Sequence, residues 1–411
     1  MINSKYLISC YKRALKFPAL LPSELLNIDR YLDRKDINFS AKQKNFDVES
    51  FTTDNSDLKY TKRHVLKEIE SIVSHKKRMI QFFNNSSGVE LSVNNILIAN
   101  YLKNTFTDEE LYLYFTNRYL ANFNYQGLTL NELDNKNIFN RFSWQNSFQQ
   151  AEFTELVSVI MPAFNNADTV EYAARSILTQ SHKNIELIIV DDKSTDGTYK
   201  VCQNIASKDS RVKVLRNKKN SGAYVSRNRG IQVASGDYIT ILDADDWSFP
   251  YRIAHQLRSI NNVKRCKVHL GYYLRMTDKG FFTGFRIKGK FSYDGILHKC
   301  LASIMIERKF LTEKLGYWDS VRFGADSEMY SRIKVIDEAC IQEEVVPLML
   351  ALDRDDSLTK RPESALGNSL RMNYAASFTK YHQTIGKDIP RMVFPLKIRP
   401  FDAHKDMVVY L

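Results

Sequence analysis

A doubly wound α/β fold is what the middle of this chain predicts, on three observations. The apolar, β-branched runs Val157 to Met161, Glu186 to Val190 and Asp237 to Leu242 have the length of buried parallel strands. Amphipathic helical patterns alternate with them, as crossover connections require. Each run also ends in turn-forming or acidic residues: Pro162-Ala163-Phe164-Asn165, Asp191-Asp192 and Asp243-Ala244-Asp245-Asp246. In open α/β sheets the ligand sits beyond the carboxyl ends of the strands. These ends are therefore expected to meet in one crevice.

Residues 1–153 are expected to form a separate helical domain, because no strand signal occurs in them. Lys62 to Phe83 carries apolar residues at helical spacing, and Ser92 to Leu102 does the same. Thr107-Asp108-Glu109-Glu110 fits a capping box, followed by Leu111, Phe115 and Tyr119 on one helical face. A helical hairpin results, without a clean repeat period. Asn131 to Gln150, rich in Asn, Gln and Ser, looks like a join.

The central domain is expected over residues 154–360. Its first crossover helix places Val170, Ala173, Ala174, Ile177 and Leu178 on the sheet. Ser194 to Gly197 turns into the next helix, and Arg211 to Arg216 is a short strand. A helix over Gly222 to Ala234 has Gly236 at its C′ position. Pro250 opens the following helix, with Ile253, Leu257 and Ile260 inward. Residues 361–411 read as an extension with one helix, Leu366 to Tyr381, and basic and aromatic residues at Met392 to Lys397.

Composition sets bounds. The 411 residues are 44% hydrophobic and 26% charged, as in soluble globular proteins. No apolar run reaches the ~18 residues of a membrane span, and the first residues lack a secretory pattern. The five cysteines are scattered and form no CxxC, which suits reduced thiols in the cytoplasm. The eight histidines show no HExxH spacing. A net charge of +12 fits a lysine-rich solvated surface, or a peripheral contact with the anionic inner face of a cell membrane. Without zinc-finger spacing or an RNP1-like aromatic run, nucleic acid is not an expected partner.

The acids carry the chemistry. Asp192, at a strand end, can accept hydrogen bonds from a base or ribose, or cap the turn that follows. Asp243 and Asp245 lie two apart on an extended segment, so they point the same way. Together they can hold one hard divalent cation, Mg²⁺ or Mn²⁺. Mg²⁺ is usually shared between carboxylates and substrate phosphates, which makes a nucleoside diphosphate the natural partner.

Four segments together resemble family 2 glycosyltransferases of the GT-A fold, of the kind that build bacterial surface polysaccharides. They are VSVIMPAFNN, SILTQSHKNIELIIVDDKSTDGT, NSGAYVSRNRGIQVASGDYITILDADDW and LGYWDSVRFGADSEMYSRI, within residues 156–345. The resemblance implies that Pro162, Ala163, Phe164, Asn165 and Asp192 hold the donor base. It implies that Asp243-Ala244-Asp245 binds the donor diphosphate through Mn²⁺ or Mg²⁺, with Asp243 and Asp245 as ligands. Arg227 matches a basic position near the donor. Asp326 matches the catalytic base. The acid that precedes the base in the family is Ala325 here. Glu328 stands in reserve, or is an exposed acid favoured by the helix dipole. Arg354 stands where the family often has histidine; it suits the diphosphate or a surface salt bridge. The implied reaction moves a sugar, with inversion, from a nucleotide-sugar donor to a glycan or lipid-linked acceptor, in capsule, lipopolysaccharide or exopolysaccharide synthesis. Two alternatives stand beside it: a sugar-phosphate nucleotidyltransferase, and a non-catalytic interaction protein on a transferase fold.

Overall fold

The computed structural model describes residues 109–125, 127–132, 137–145, 153–285, 291–355 and 360–410 except 363 and 366, with residue 357 and scattered positions between 93 and 103. It divides into two units, Met1–Tyr125 and Gln126–Leu411. In the first, helix α1 (Glu109–Ala121) has acids in its first turn and Arg118 in its last, which suits the helix dipole. Phe115 and Tyr119, four apart, are buried on one face as expected. The patterns at Lys62 to Phe83, most of Ser92 to Leu102, and the capping residues Thr107 and Asp108 lie outside the described residues.

The second unit opens with a hairpin where a join was expected. Strands β1 (Leu128–Leu130) and β2 (Phe142–Trp144) pair antiparallel, with Leu128 opposite Trp144. The polar residues around them are outweighed by aromatic packing. The Phe139 ring lies 5.3 Å from Tyr172, Phe142 lies 5.4 Å from Trp247, and Trp144 lies 5.9 Å from Phe249. Strands of three residues carry too little alternation to be read in advance.

The main sheet contains β3 (Val157–Ala163), β4 (Ile185–Asp191), β5 (Val212–Arg216), β6 (Tyr238–Ile241), β7 (Trp247–Ser248), β8 (Val268–Met276), β9 (Phe282–Thr283), β10 (His298–Lys299), β11 (Met305–Glu307) and β12 (Ile341–Leu352). Their spatial order is β5-β4-β3-β6-β11-β8-β12-β7, with β9 and β10 on β8. The first four run parallel. β11 is antiparallel to both neighbours, β12 is parallel to β8, and β7 is antiparallel to β12. Every residue of β3 and β4 is buried, as their unbroken apolar runs require.

Crossover helices α2 (Val170–Leu178), α3 (Thr198–Lys208), α4 (Ala223–Val233) and α5 (Arg252–Asn262) cover the sheet. Val170, Ala173, Ala174 and Ile177 are buried, as are Ile253, Leu257 and Ile260. Gly236 departs from expectation: it is not a left-handed cap. It is glycine because a Cβ there would stand 2.6 Å from the Ser158 nitrogen and 2.7 Å from the Leu156 oxygen.

Helices α6 (Ala325–Asp337) and α7 (Ser369–Ile385) close the chain. Residues 361–411 were expected as an extension, yet they are built into the domain core. Tyr374, Phe378, Phe401 and Met407 share one apolar cluster with Ile160, Ile306, Trp318 and Met329. Among the described residues no helix is long and apolar enough to cross a membrane.

Candidate functional site

The turns at the carboxyl ends of β3 and β4 are laced together. Asn165 takes φ +54°, where asparagine is better tolerated than most residues. Its backbone nitrogen donates to Ser194 Oγ at 3.0 Å, and its Oδ1 accepts from Thr195 N at 2.9 Å. Asp192 N donates to Ala163 O at 2.8 Å. Pro162 and Ala163 are buried, while Phe164 is 44% exposed and leaves an apolar face open at this edge.

Asp192 is buried with three protein donors on its carboxylate: Asn217 Nδ2 at 2.6 Å, Ser221 N at 2.8 Å and Gly222 N at 2.6 Å. Burial pushes its carboxyl up, and these bonds oppose the rise. Asp192 thus secures the loop before α4. Gly222 in that loop takes φ +82°, which only glycine adopts freely.

Beyond β6 the three acids crowd together. Asp243 Oδ1 accepts from Arg227 Nη2 at 2.9 Å. The Asp245 backbone oxygen accepts from Tyr172 OH at 2.7 Å. Asp246 is buried and accepts from Leu352 N at 3.1 Å, which fixes the motif to the end of β12. Burial, then the Asp243 charge, raises the Asp245 carboxyl to about 6, against the pull of Arg354. Burial, then Asp245 and Asp243, push Asp246 well above its usual range. Carboxylate charges crowded in this way are relieved by a cation between them. An all-oxygen donor set suits Mg²⁺ or Mn²⁺. Ala244 is buried between them. Arg354 is half-buried and acts electrostatically on Asp245.

Arg227 joins the two sides. Its side chain is 3% exposed; Nη2 holds Asp243, and Nη1 donates to Asp326 Oδ1 at 2.7 Å. Tyr224 OH donates to the other oxygen, Asp326 Oδ2, at 2.9 Å. Asp326 stands in the first turn of α6, after Gly324 at φ +92°. Tyr224 escaped the sequence reading, although it lies three residues before Arg227 and so on the same helical face. Tyr172 and Arg275 escaped it too; their link to the acids comes only through the fold.

Glu328 corrects its expectation. It is fully buried rather than exposed. Arg332 grips it through Nε at 3.0 Å and Nη2 at 2.7 Å, and His382 Nε2 stands 3.2 Å away. A carboxylate so enclosed is a structural ion-pair partner, and the reserve role as base is withdrawn.

Residues 158–304 match the model of glycosyl transferase family 2. UDP-Glc:alpha-D-GlcNAc-diphosphoundecaprenol beta-1,3-glucosyltransferase WfaP of Escherichia coli is 37% identical over 148 residues, covering 36% of this chain and 57% of that protein. Glycosyltransferase GlyG of Streptococcus pneumoniae is 43% identical over 93 residues, 23% of this chain and 31% of its own. This chain therefore spans between about a third and somewhat over half the length of these relatives. The solved structure of S. aureus TarS 1–349 with UDP-GlcNAc aligns with 57% of this chain and 74% of its own, at 16% identity and a TM-score of 0.39. Residues 158–304, which carry the strand-end acids and most of the parallel part of the sheet, are a glycosyl transferase family 2 domain.

Proposed function

We propose that this chain transfers a sugar from a nucleoside-diphosphate donor, a UDP-sugar, to a hydroxyl of a glycan or lipid-linked acceptor, with inversion, in the synthesis of a capsule, lipopolysaccharide or exopolysaccharide. The observation that carries this reading is the Asp243–Arg227–Asp326 link, which joins donor-side acids to an acceptor-side acid 99 residues from the arginine. In this reading the turn Pro162 to Asn165 and Asp192 receive the nucleoside. Asp243 and Asp245 hold Mn²⁺ or Mg²⁺, which when bound offsets the charge of the leaving diphosphate. Arg354 lies close enough to act on Asp245, and its planar guanidinium suits a phosphate oxygen pair. Asp326 accepts the proton of the acceptor hydroxyl as that oxygen attacks the anomeric carbon from the face opposite the diphosphate. Tyr224 and Arg227 each hold one of its oxygens, which fixes the carboxylate while leaving lone pairs free.

The net charge of +12, with exposed Val393 and Ile398 beside exposed Arg391 and Lys397, supports a peripheral contact with an anionic membrane face. The test of the reaction is a screen of nucleotide sugars for Mn²⁺-dependent hydrolysis by the purified chain. At least one should be cleaved, and Asp245→Asn should abolish cleavage. Equal rates in the variant would overturn the proposal.

A further inference from the structure

Well away from the strand-end acids, three metal-capable side chains converge. His255 stands on α5, His269 on β8 and Glu344 on β12. Their ligand atoms lie within 4.8 Å of one another. Glu344 is eight residues from Leu352, the point where β12 meets Asp246. At about 3.3 Å per residue that is roughly 25 Å of strand, so this cluster is separate from the donor acids.

Glu344 Oε2 faces three polar side-chain atoms. His255 Nε2 is at 2.6 Å, Ser259 Oγ at 2.7 Å and His269 Nε2 at 3.5 Å. The His269 side chain is fully buried, and its Nε2, aimed at the cluster, has no hydrogen-bond partner. An unpartnered buried nitrogen is costly, so its direction needs a reason. His255 is 19% and Glu344 31% exposed, which leaves an approach from solvent. Gln342 Nε2, 3.4 Å from Oε1, flanks the acid.

We infer that His255, His269 and Glu344 form a binding site for a borderline-soft divalent transition metal, Zn²⁺ in the first instance, which clips α5 to β8 and β12. Two imidazoles and one carboxylate are a zinc-type donor set, with water in the fourth position. Imidazole also discriminates this site from the all-oxygen acids at Asp243 and Asp245, which favour Mg²⁺ or Mn²⁺.

Binding has a structural cost. Gln256 Nε2 donates to Ser303 O at 2.8 Å and lies 3.3 Å from His269 Nδ1. This favours a proton on His269 Nε2, whereas ligation requires it on Nδ1. The amide can meet Nδ1–H only by turning its oxygen to the ring and losing Ser303. A carboxylate at 256 gives up the Ser303 bond with or without the metal, so ligation no longer costs it, and a ligating histidine is held best by an acid on its other nitrogen. It would also pair with buried Arg252, whose Nη1 has no partner and whose Nε already donates to Gln256 Oε1 at 3.2 Å.

The experiment uses the full chain carrying Asp243→Asn and Asp245→Asn, so that the donor acids do not compete. Zn²⁺ alone is titrated calorimetrically, and Co²⁺ alone is followed by its visible absorption. Expected are a single saturable site and the intense bands of a four-coordinate, nitrogen-ligated ion. Glu344→Gln and His255→Gln, both near-isosteric and checked for folding by circular dichroism, should each weaken binding by at least about tenfold. Gln256→Glu should tighten it by about tenfold or more, the scale on which outer partners tune such sites. Absence of a saturable site, unchanged binding in the two ligand variants, or no gain from Gln256→Glu would each overturn the assignment. None of these readouts depends on sugar transfer.

Discussion

At Arg227 one buried guanidinium answers two acids from opposite halves of the domain. Two consequences at single residues follow from that site. Asp245→Ala should eliminate the Mn²⁺ dependence of UDP binding, measured by isothermal titration with and without the ion; a metal dependence equal to that of the parent chain would exclude Asp245 as a ligand. Asp326→Asn should leave UDP binding in place while single-turnover transfer falls by roughly 10²–10⁴, the usual worth of a general base. Glu328→Gln should act differently. It strips the counter-charge from buried Arg332, so it should cost about 3 kcal/mol of stability, seen in denaturant unfolding. The places of Asp243, Asp245 and Asp326 were legible because strand ends and a helix start show in local patterns. The burial of Glu328 was not legible, because it depends on a histidine in a different helix. Tyr224 lay between these cases: its face could be read, but its partner could not.

Among the elements, the parallel strands share one clasp. Glu186 on β4 accepts from Ser158 Oγ on β3 at 2.6 Å, from Lys213 Nζ on β5 at 2.7 Å and from Ser235 N ahead of β6 at 2.6 Å. Burial alone would raise its carboxyl; these bonds override burial and bring it from 4.5 down to about 2. A depressed acid contributes stability above its unfolded pKa and loses it as pH falls through the folded one. The domain should therefore lose stability between about pH 4.5 and 2, and Glu186→Gln should flatten that loss in pH-dependent unfolding. Gly236→Ala tests the same joint sterically. Its Cβ would press on backbone at 2.6 Å, so the variant should unfold several degrees lower in a thermal melt; an unchanged midpoint would contradict the packing. The long strands of this clasp were legible from uninterrupted apolar runs. The β1–β2 hairpin was not, since its stabilising partners Tyr172, Trp247 and Phe249 are distant in sequence. Gly236 was legible as a helix-end signal, yet its true constraint is the closeness of another strand.

For the whole molecule, the boundary at Tyr125 and Gln126 matters more than composition suggested. A chain beginning at Gln126 should fold and keep Mn²⁺-dependent UDP binding. One beginning at Phe153 should be markedly less stable, because it removes Phe139, Phe142 and Trp144 from their aromatic neighbours. Thermal unfolding of the two fragments separates these outcomes, with loss of buried Phe139 and Phe142 costing about 3 kcal/mol or more each. The far end of the domain is woven in just as firmly. Arg399 bonds to buried Asp319, Val409 N donates to Ser320 O at 2.9 Å, and Met407 is fully buried in the cluster that Ile160 begins. That weave sets a timetable on the ribosome. Ile160 emerges early, but its core cannot close until Met407 has been made, 247 residues later by position. At the ~5–20 residues per second of synthesis, the nascent sheet waits on the order of tens of seconds with apolar surface open. Over that interval, holdase chaperones and translation speed govern the yield of folded protein.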